Sequence, residues 1–253
     1  IQLEKKITDL IKEREFILLR IETQIQKIVR DQIRIEGMDT KGFVFPPVFI
    51  NVFTPPLLLV TSPRNEILRQ KEILLETNMQ DTRKSIIEQQ MLEENNLSAV
   101  VLEIGGLASY PSMIKPHTNF ERLFQLTAHE WLHQYLAFYP LGRSIFNNSE
   151  MTEINETLAG IFGKTIAAKI CSGESELSEV YCENYNQLHS PNTTFDYDLF
   201  MRETRQTVDH LLTQNQILGA EKYMEERRIQ LIKEGVFIRK INQAWFAFHG
   251  TYA

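Results

Sequence analysis

The chain has 253 residues, 43% of them apolar and 24% charged, which is the balance of an ordinary globular protein and excludes a disordered or collagen-like chain. Twenty-seven Lys and Arg against 33 Asp and Glu give a net charge of −6, which argues against a general affinity for nucleic acid. Two cysteines, Cys171 and Cys182, are too few for a disulfide framework or a four-thiolate metal site. One bridge and two free thiols both stay open.

The chain opens at Ile1 without a methionine, so a fragment or a processed form is expected, and a membrane anchor upstream of residue 1 stays open. The compartment is not fixed, with an extracytoplasmic or membrane-anchored location favoured over a cytoplasmic one. Residues 1–36 form a distinct segment. With Ile7, Arg14, Ile21, Ile28 and Ile35 at heptad position a, the d positions are Leu3, Leu10, Ile17, Gln24 and Asp31, and seven of the ten are apolar. This predicts a long amphipathic helix that packs on a partner helix, by self-association or otherwise, or on the body of its own chain.

The apolar run 43–60 is long enough to suggest a membrane span, but the proline pairs Pro46-Pro47 and Pro55-Pro56 would break a helix there. Short buried strands at 48–53 and 57–60 are expected instead. Residues 64–94 show helical spacing at Ile67, Leu68, Leu74, Leu75, Ile86, Ile87 and Met91. The β-branched stretch 98–104 reads as a third strand, ended by Gly105-Gly106. From residue 119 the chain reads as helical, with breaks at 140–149 and 171–196. The expected class is α+β: an N-terminal helix over 1–36, then one domain over 37–253 with a small β-sheet and a mainly helical core.

The chemistry concentrates at His129-Glu130-Trp131-Leu132-His133, an HExxH pattern with no Pro or Gly nearby to interrupt a helix. Residues four apart share a helical face, so both imidazoles reach one ion, and Glu130 points to where a water held by that ion would lie. Neutral imidazoles suit Zn²⁺, and a catalytic zinc needs a third protein ligand with one position left open. A metzincin would carry Gly and His where this chain has Leu136 and Tyr139. A carboxylate on a second helix, opened by Glu150-Met-Thr-Glu153-Ile-Asn155-Glu156, would complete a two-His, one-Glu site.

Over residues 129–159 the sequence resembles the gluzincins, the zinc metallopeptidases that include thermolysin-like and aminopeptidase N-like enzymes. Their third ligand is a Glu in an Asn-Glu-x-x-Ala run, which Asn155-Glu156-Thr157-Leu158-Ala159 matches, so the resemblance assigns that role to Glu156. Glu153 is the alternative, with a spacer of 19 residues from His133 against 22 for Glu156. Thermolysin-like members place an Asp one turn after the Glu ligand to orient the first His; here that position is Gly160, so another group must serve.

The resemblance implies a zincin-like core and zinc-dependent hydrolysis of a peptide or protein substrate, with Glu130 as general base. It also implies a Tyr or His donor for the developing oxyanion, for which His249, Tyr252, His210 and Tyr110 are candidates. An edge strand beside the metal helix would pair with the substrate backbone, and residues 99–104 are expected to supply it. A non-catalytic scaffold or assembly protein that keeps a metal-binding zincin fold is the competing reading, suggested by residues 1–36 and Gly160.

Overall fold

A computed structural model describes residues 2–145, 147–172, 182 and 195–250. In chain order its elements are α1 (Gln2–Ile35), β1 (Ile50–Val52), β2 (Leu57–Pro63), β3 (Lys71–Leu75), α2 (Asp81–Asn95), β4 (Leu97–Glu103), β5 (Gly106–Leu107) and β6 (Ser112–Ile114). There follow α3 (Phe120–Leu136), the single turn α4 (Pro140–Arg143), α5 (Ser149–Ser172), α6 (Tyr197–Thr213), α7 (Ile217–Lys233) and α8 (Gln243–Phe248). Over the described residues the chain is mixed α/β, 59% helical, with two three-stranded sheets. Among the described residues no helix is long and apolar enough to cross a membrane.

Packing divides the chain into two interleaved units: Ile1–Pro55 with Gly105–His189, and Pro56–Ile104 with Ser190–Ala253. The division read from the sequence, after residue 36, is not among these boundaries. The reason is the apolar stripe of α1, which runs on into the first unit's core through Ile25, Ile28, Val29 and Ile33.

In the first unit, α1 has no interior Gly or Pro and stops at Gly37, whose φ of 76° lets Met38 N–H reach the Ile33 carbonyl at 3.2 Å. Only its C-terminal half is packed; between residues 3 and 20 every side chain except Leu18 is exposed. The sheet order is β1-β6-β5, with β1 parallel and β5 antiparallel to β6. The outer edge of β1 is covered by α1: Val52 N–H donates to Glu22 Oε1 at 2.6 Å, and Gln26 Nε2 donates to the Ile50 carbonyl at 3.4 Å.

Below the sheet, α3 packs against α5, and their core includes Phe124, Ala128, Trp131, Leu132, Ala159 and Ile166. Trp131 Nε1 donates to the Pro46 carbonyl at 2.7 Å, tying the proline loop to α3. Cys171, near the end of α5, is disulfide-bonded to Cys182, which resolves the choice left open by composition.

In the second unit, β2 pairs antiparallel with both β3 and β4. Leu57, Leu59, Ala99 and Val101 pack with Met79, Ile87 and Met91 on the α2 side, while Leu58, Val60 and Val100 face α6, α7 and α8. With both faces covered, β2 is buried from Leu57 to Ser62 and opens with the apolar run Leu57–Val60. The helix expected over 64–94 holds only from Asp81. Lys71–Leu75 is instead an exposed edge strand, whose Leu74 and Leu75 fit a helical spacing as well as they fit a strand. The strand expected over 98–104 is present as β4, in this unit, so the strands packed on α3 are β5 and β6.

Candidate metal centre

The metal-ligand candidates lie on two helices of the first unit, α3 and α5. Helix α3 is capped by Asn119, whose Oδ1 accepts from Arg122 N–H at 3.2 Å, and runs unbroken through the HExxH residues. That phase turns His129 and His133 toward α5 and Glu130 toward β5. The helices are antiparallel: Gly163 of α5 lies over Gln125 and His129, while Glu156 reaches both His129 and His133. A Cβ on Gly163 would stand 2.6 Å from the Gln125 carbonyl oxygen, so this glycine permits the close approach.

The three ligand atoms form a nearly regular triangle. His129 Nε2 and His133 Nε2 are 3.1 Å apart, and Glu156 Oε2 lies 3.4 Å from the first and 3.6 Å from the second. Tetrahedral zinc bonds of about 2.0–2.1 Å would separate such atoms by about 3.3 Å. The donor set and its spacing therefore fit Zn²⁺ without rearrangement. Among the described residues no other group of three His, Cys, Asp or Glu converges in this way. Glu153, the alternative ligand, is exposed and lies outside the group.

Glu130 is almost fully buried, with its carboxylate against the Gly106 backbone, where a Cβ would come within 2.4 Å of Oε1. Burial pushes its pKa up to about 7; the His129 and His133 charges oppose that, and the Glu156 charge adds to it. For Glu156, burial is outweighed by hydrogen bonds and charge from the two imidazoles, which hold the carboxyl far below its ordinary range. For His129, burial would lower the pKa, but the Glu156 hydrogen bond and the two nearby carboxylates raise it above the usual imidazole value. His133 Nδ1 is buried without a hydrogen-bond partner among the described residues, and Gly160 has nothing within 4 Å of where a Cβ would be.

Of the oxyanion candidates, Tyr252 lies outside the described residues. His249 and His210 belong to the second unit. His249 stacks on Trp245 with ring centres 4.0 Å apart, its Nδ1 is 2.9 Å from the Trp245 carbonyl, and burial lowers its pKa. His210 is exposed beside Gln214. Tyr110 is exposed in the first unit, 5.7 Å from the Phe49 ring.

Three supporting residues escaped the sequence reading. Gly106 makes room for Glu130, Gly163 for α3, and Gln134 ties α3 to the β5–β6 hairpin through the Ser109 carbonyl and Ser112 Oγ. An isolated glycine inside the helical pattern of α5 was the one available signal. Comparison with family models, with curated proteins and with solved structures finds no match to this chain.

Proposed function

We propose that the chain is a zinc-dependent peptide hydrolase of gluzincin type with a zincin-like core, in which His129, His133 and Glu156 hold the metal and Glu130 is the general base. The observation that carries this reading is the ligand triangle, with edges of 3.1, 3.4 and 3.6 Å beside a buried carboxyl. Zn²⁺, when bound, polarises the scissile carbonyl and acidifies the attacking water. Glu130, held near neutrality by burial, takes that water's proton and hands it to the leaving amine. Among the described residues strand β5 has a strand neighbour on one side only, and its other edge would receive an extended peptide. The Cys171–Cys182 bridge supports an oxidising compartment. The exposed stripe of α1 supports association with a partner helix.

A second reading, a scaffold that binds metal without turnover, draws support from Gly160 and from the unpartnered His133 Nδ1. Metal analysis separates the possibilities. The wild-type chain should hold one zinc, lost in His133→Ala and Glu156→Ala. Glu130→Gln should keep the zinc and lose hydrolysis of a broad peptide library. A zinc-loaded wild type that cleaves nothing favours the scaffold, and a chelator-free preparation without stoichiometric metal rejects both.

A further inference from the structure

Helix α3 carries a charged group that the hydrolysis scheme does not use. Arg122 lies seven residues before His129, two turns back on the same helical face. Its Nη1 donates to Gln125 Oε1 at 2.8 Å, which steadies the guanidinium and leaves the Nε–Nη2 edge free to bind. The group is exposed, yet enough protein surrounds it that desolvation pulls its pKa below the ordinary guanidinium value, and no carboxylate among the described residues acts against that. Arg64 and Arg228, each hydrogen-bonded to a glutamate, shift upward instead. A cation that is accessible, partly dehydrated and without a carboxylate partner belongs to the wall of a cleft rather than to a convex surface.

Its position relative to β5 gives the cleft a direction. A Cβ on Gly105 would stand 3.7 Å from Arg122 Nη2 and 2.6 Å from Leu126 Cδ2, whereas one on Gly106 would press on the Glu130 carboxylate. Residues 105 and 106 therefore run along α3 from Arg122 toward Glu130. The Arg122 charge also reaches His129, where it joins burial in opposing the rise of that pKa. At about 1.5 Å per residue, Arg122 and His129 are about 10 Å apart along the helix, the span of about three residues of extended chain.

We infer, on the strength of the hydrolase reading proposed above, that Arg122 is a specificity-determining residue that takes a carboxylate of the peptide substrate within about three residues of the cleaved bond. A peptide laid on the open edge of β5, with its scissile carbonyl beside Glu130, passes the guanidinium as it follows the strand. The Nε–Nη2 edge presents two parallel N–H groups, the geometry that a carboxylate accepts. An acidic side chain and the substrate's own C-terminus both supply that group.

The test starts from the zinc-loaded full chain and a peptide library, with the cuts read by mass spectrometry. A cleaved sequence is then remade with Glu or Gln at each of the three positions on either side of the cut, and with a free-acid or amidated C-terminus. One carboxylate form should be cleaved about tenfold faster in kcat/KM than its neutral match, chiefly through KM. A preference at a fixed position assigns the side chain, and one confined to the free acid assigns the C-terminus. Arg122→Gln should still hold one zinc and cleave the matched peptides equally, and Arg122→Glu should favour Lys where the wild type favours Glu, or the amide over the free acid. A merely structural arginine would slow both peptides of a pair alike. Matched pairs cleaved within twofold by the wild type at every position, or a preference that survives in Arg122→Gln, overturn the role of Arg122 and leave the hydrolase reading standing. A zinc-loaded wild type that cleaves nothing overturns both.

Discussion

Two glycines one turn apart on α5 should respond to alanine in opposite directions. In a helix interior, alanine is favoured over glycine by up to about 1 kcal/mol, so Gly160→Ala, with nothing within 4 Å of its Cβ, should stabilise the chain by about that amount. Gly163→Ala gains the same propensity but places a carbon 2.6 Å from the Gln125 carbonyl oxygen, where ordinary contact begins at 3.4 Å. The helices must separate by about 0.8 Å, and overpacking of this kind costs about 1–3 kcal/mol. The net loss should be up to about 2 kcal/mol.

That separation also carries the Glu156 carboxylate away from the imidazoles. The edges of 3.4 and 3.6 Å would open beyond about 4 Å, outside what zinc bonds tolerate, and zinc affinity should fall about 10–100-fold. Urea denaturation of the metal-free chain and zinc competition against a chromophoric chelator read the two effects without any substrate. If both alanines shift stability the same way, or if Gly163→Ala binds zinc within twofold of wild type, the account of the interhelical approach is wrong.

Other expectations follow from the same geometry. Between about pH 4.5 and 7 the folded metal-free chain keeps the Glu130 proton that the unfolded chain has lost, so stability falls as pH rises through that window. Glu130→Gln should remove this slope and gain about 3 kcal/mol at pH 8 over wild type; denaturation at pH 5 and 8 checks it, and equal slopes in both proteins would refute it. Reducing Cys171–Cys182, a bridge spanning 11 positions, should cost about 3 kcal/mol, measurable as a lower urea midpoint with dithiothreitol than without. Gly106→Ala should displace the Glu130 carboxylate by about 1 Å and reduce turnover of a cleaved peptide about 100-fold while leaving zinc stoichiometry intact.

What the sequence made legible is what short spacings determine. The extent of α1, the HExxH helix and the Asn155-Glu156 context can all be read within a turn or two of helix, and the coordinates bring those side chains within reach of one ion. What stayed illegible depends on distant partners. Lys71–Leu75 is a strand only because β2 offers it an edge, and its exposed side chains leave no period-2 signature. Gly163 and Gly106 matter because Gln125 and Glu130 press on them, which no local pattern records. The strand beside the metal helix was assigned to 99–104, whereas a two-residue strand, Gly106–Leu107, lies there and is too short to announce itself.

The interleaving of the two units has a practical consequence for dissecting the protein. Residues 56–104 of the second unit are inserted between the two halves of the first, so no single contiguous stretch carries everything the helices of the proposed metal centre rest on. A fragment that begins at residue 105 keeps His129, His133 and Glu156 but discards Ile25, Val29 and Ile33 from beneath them. Serial truncation from the amino terminus should thus disrupt the proposed metal centre long before the cuts reach His129. During synthesis, α1 and β1 must likewise wait for roughly seventy further residues before the first of the helices they support begins to leave the ribosome.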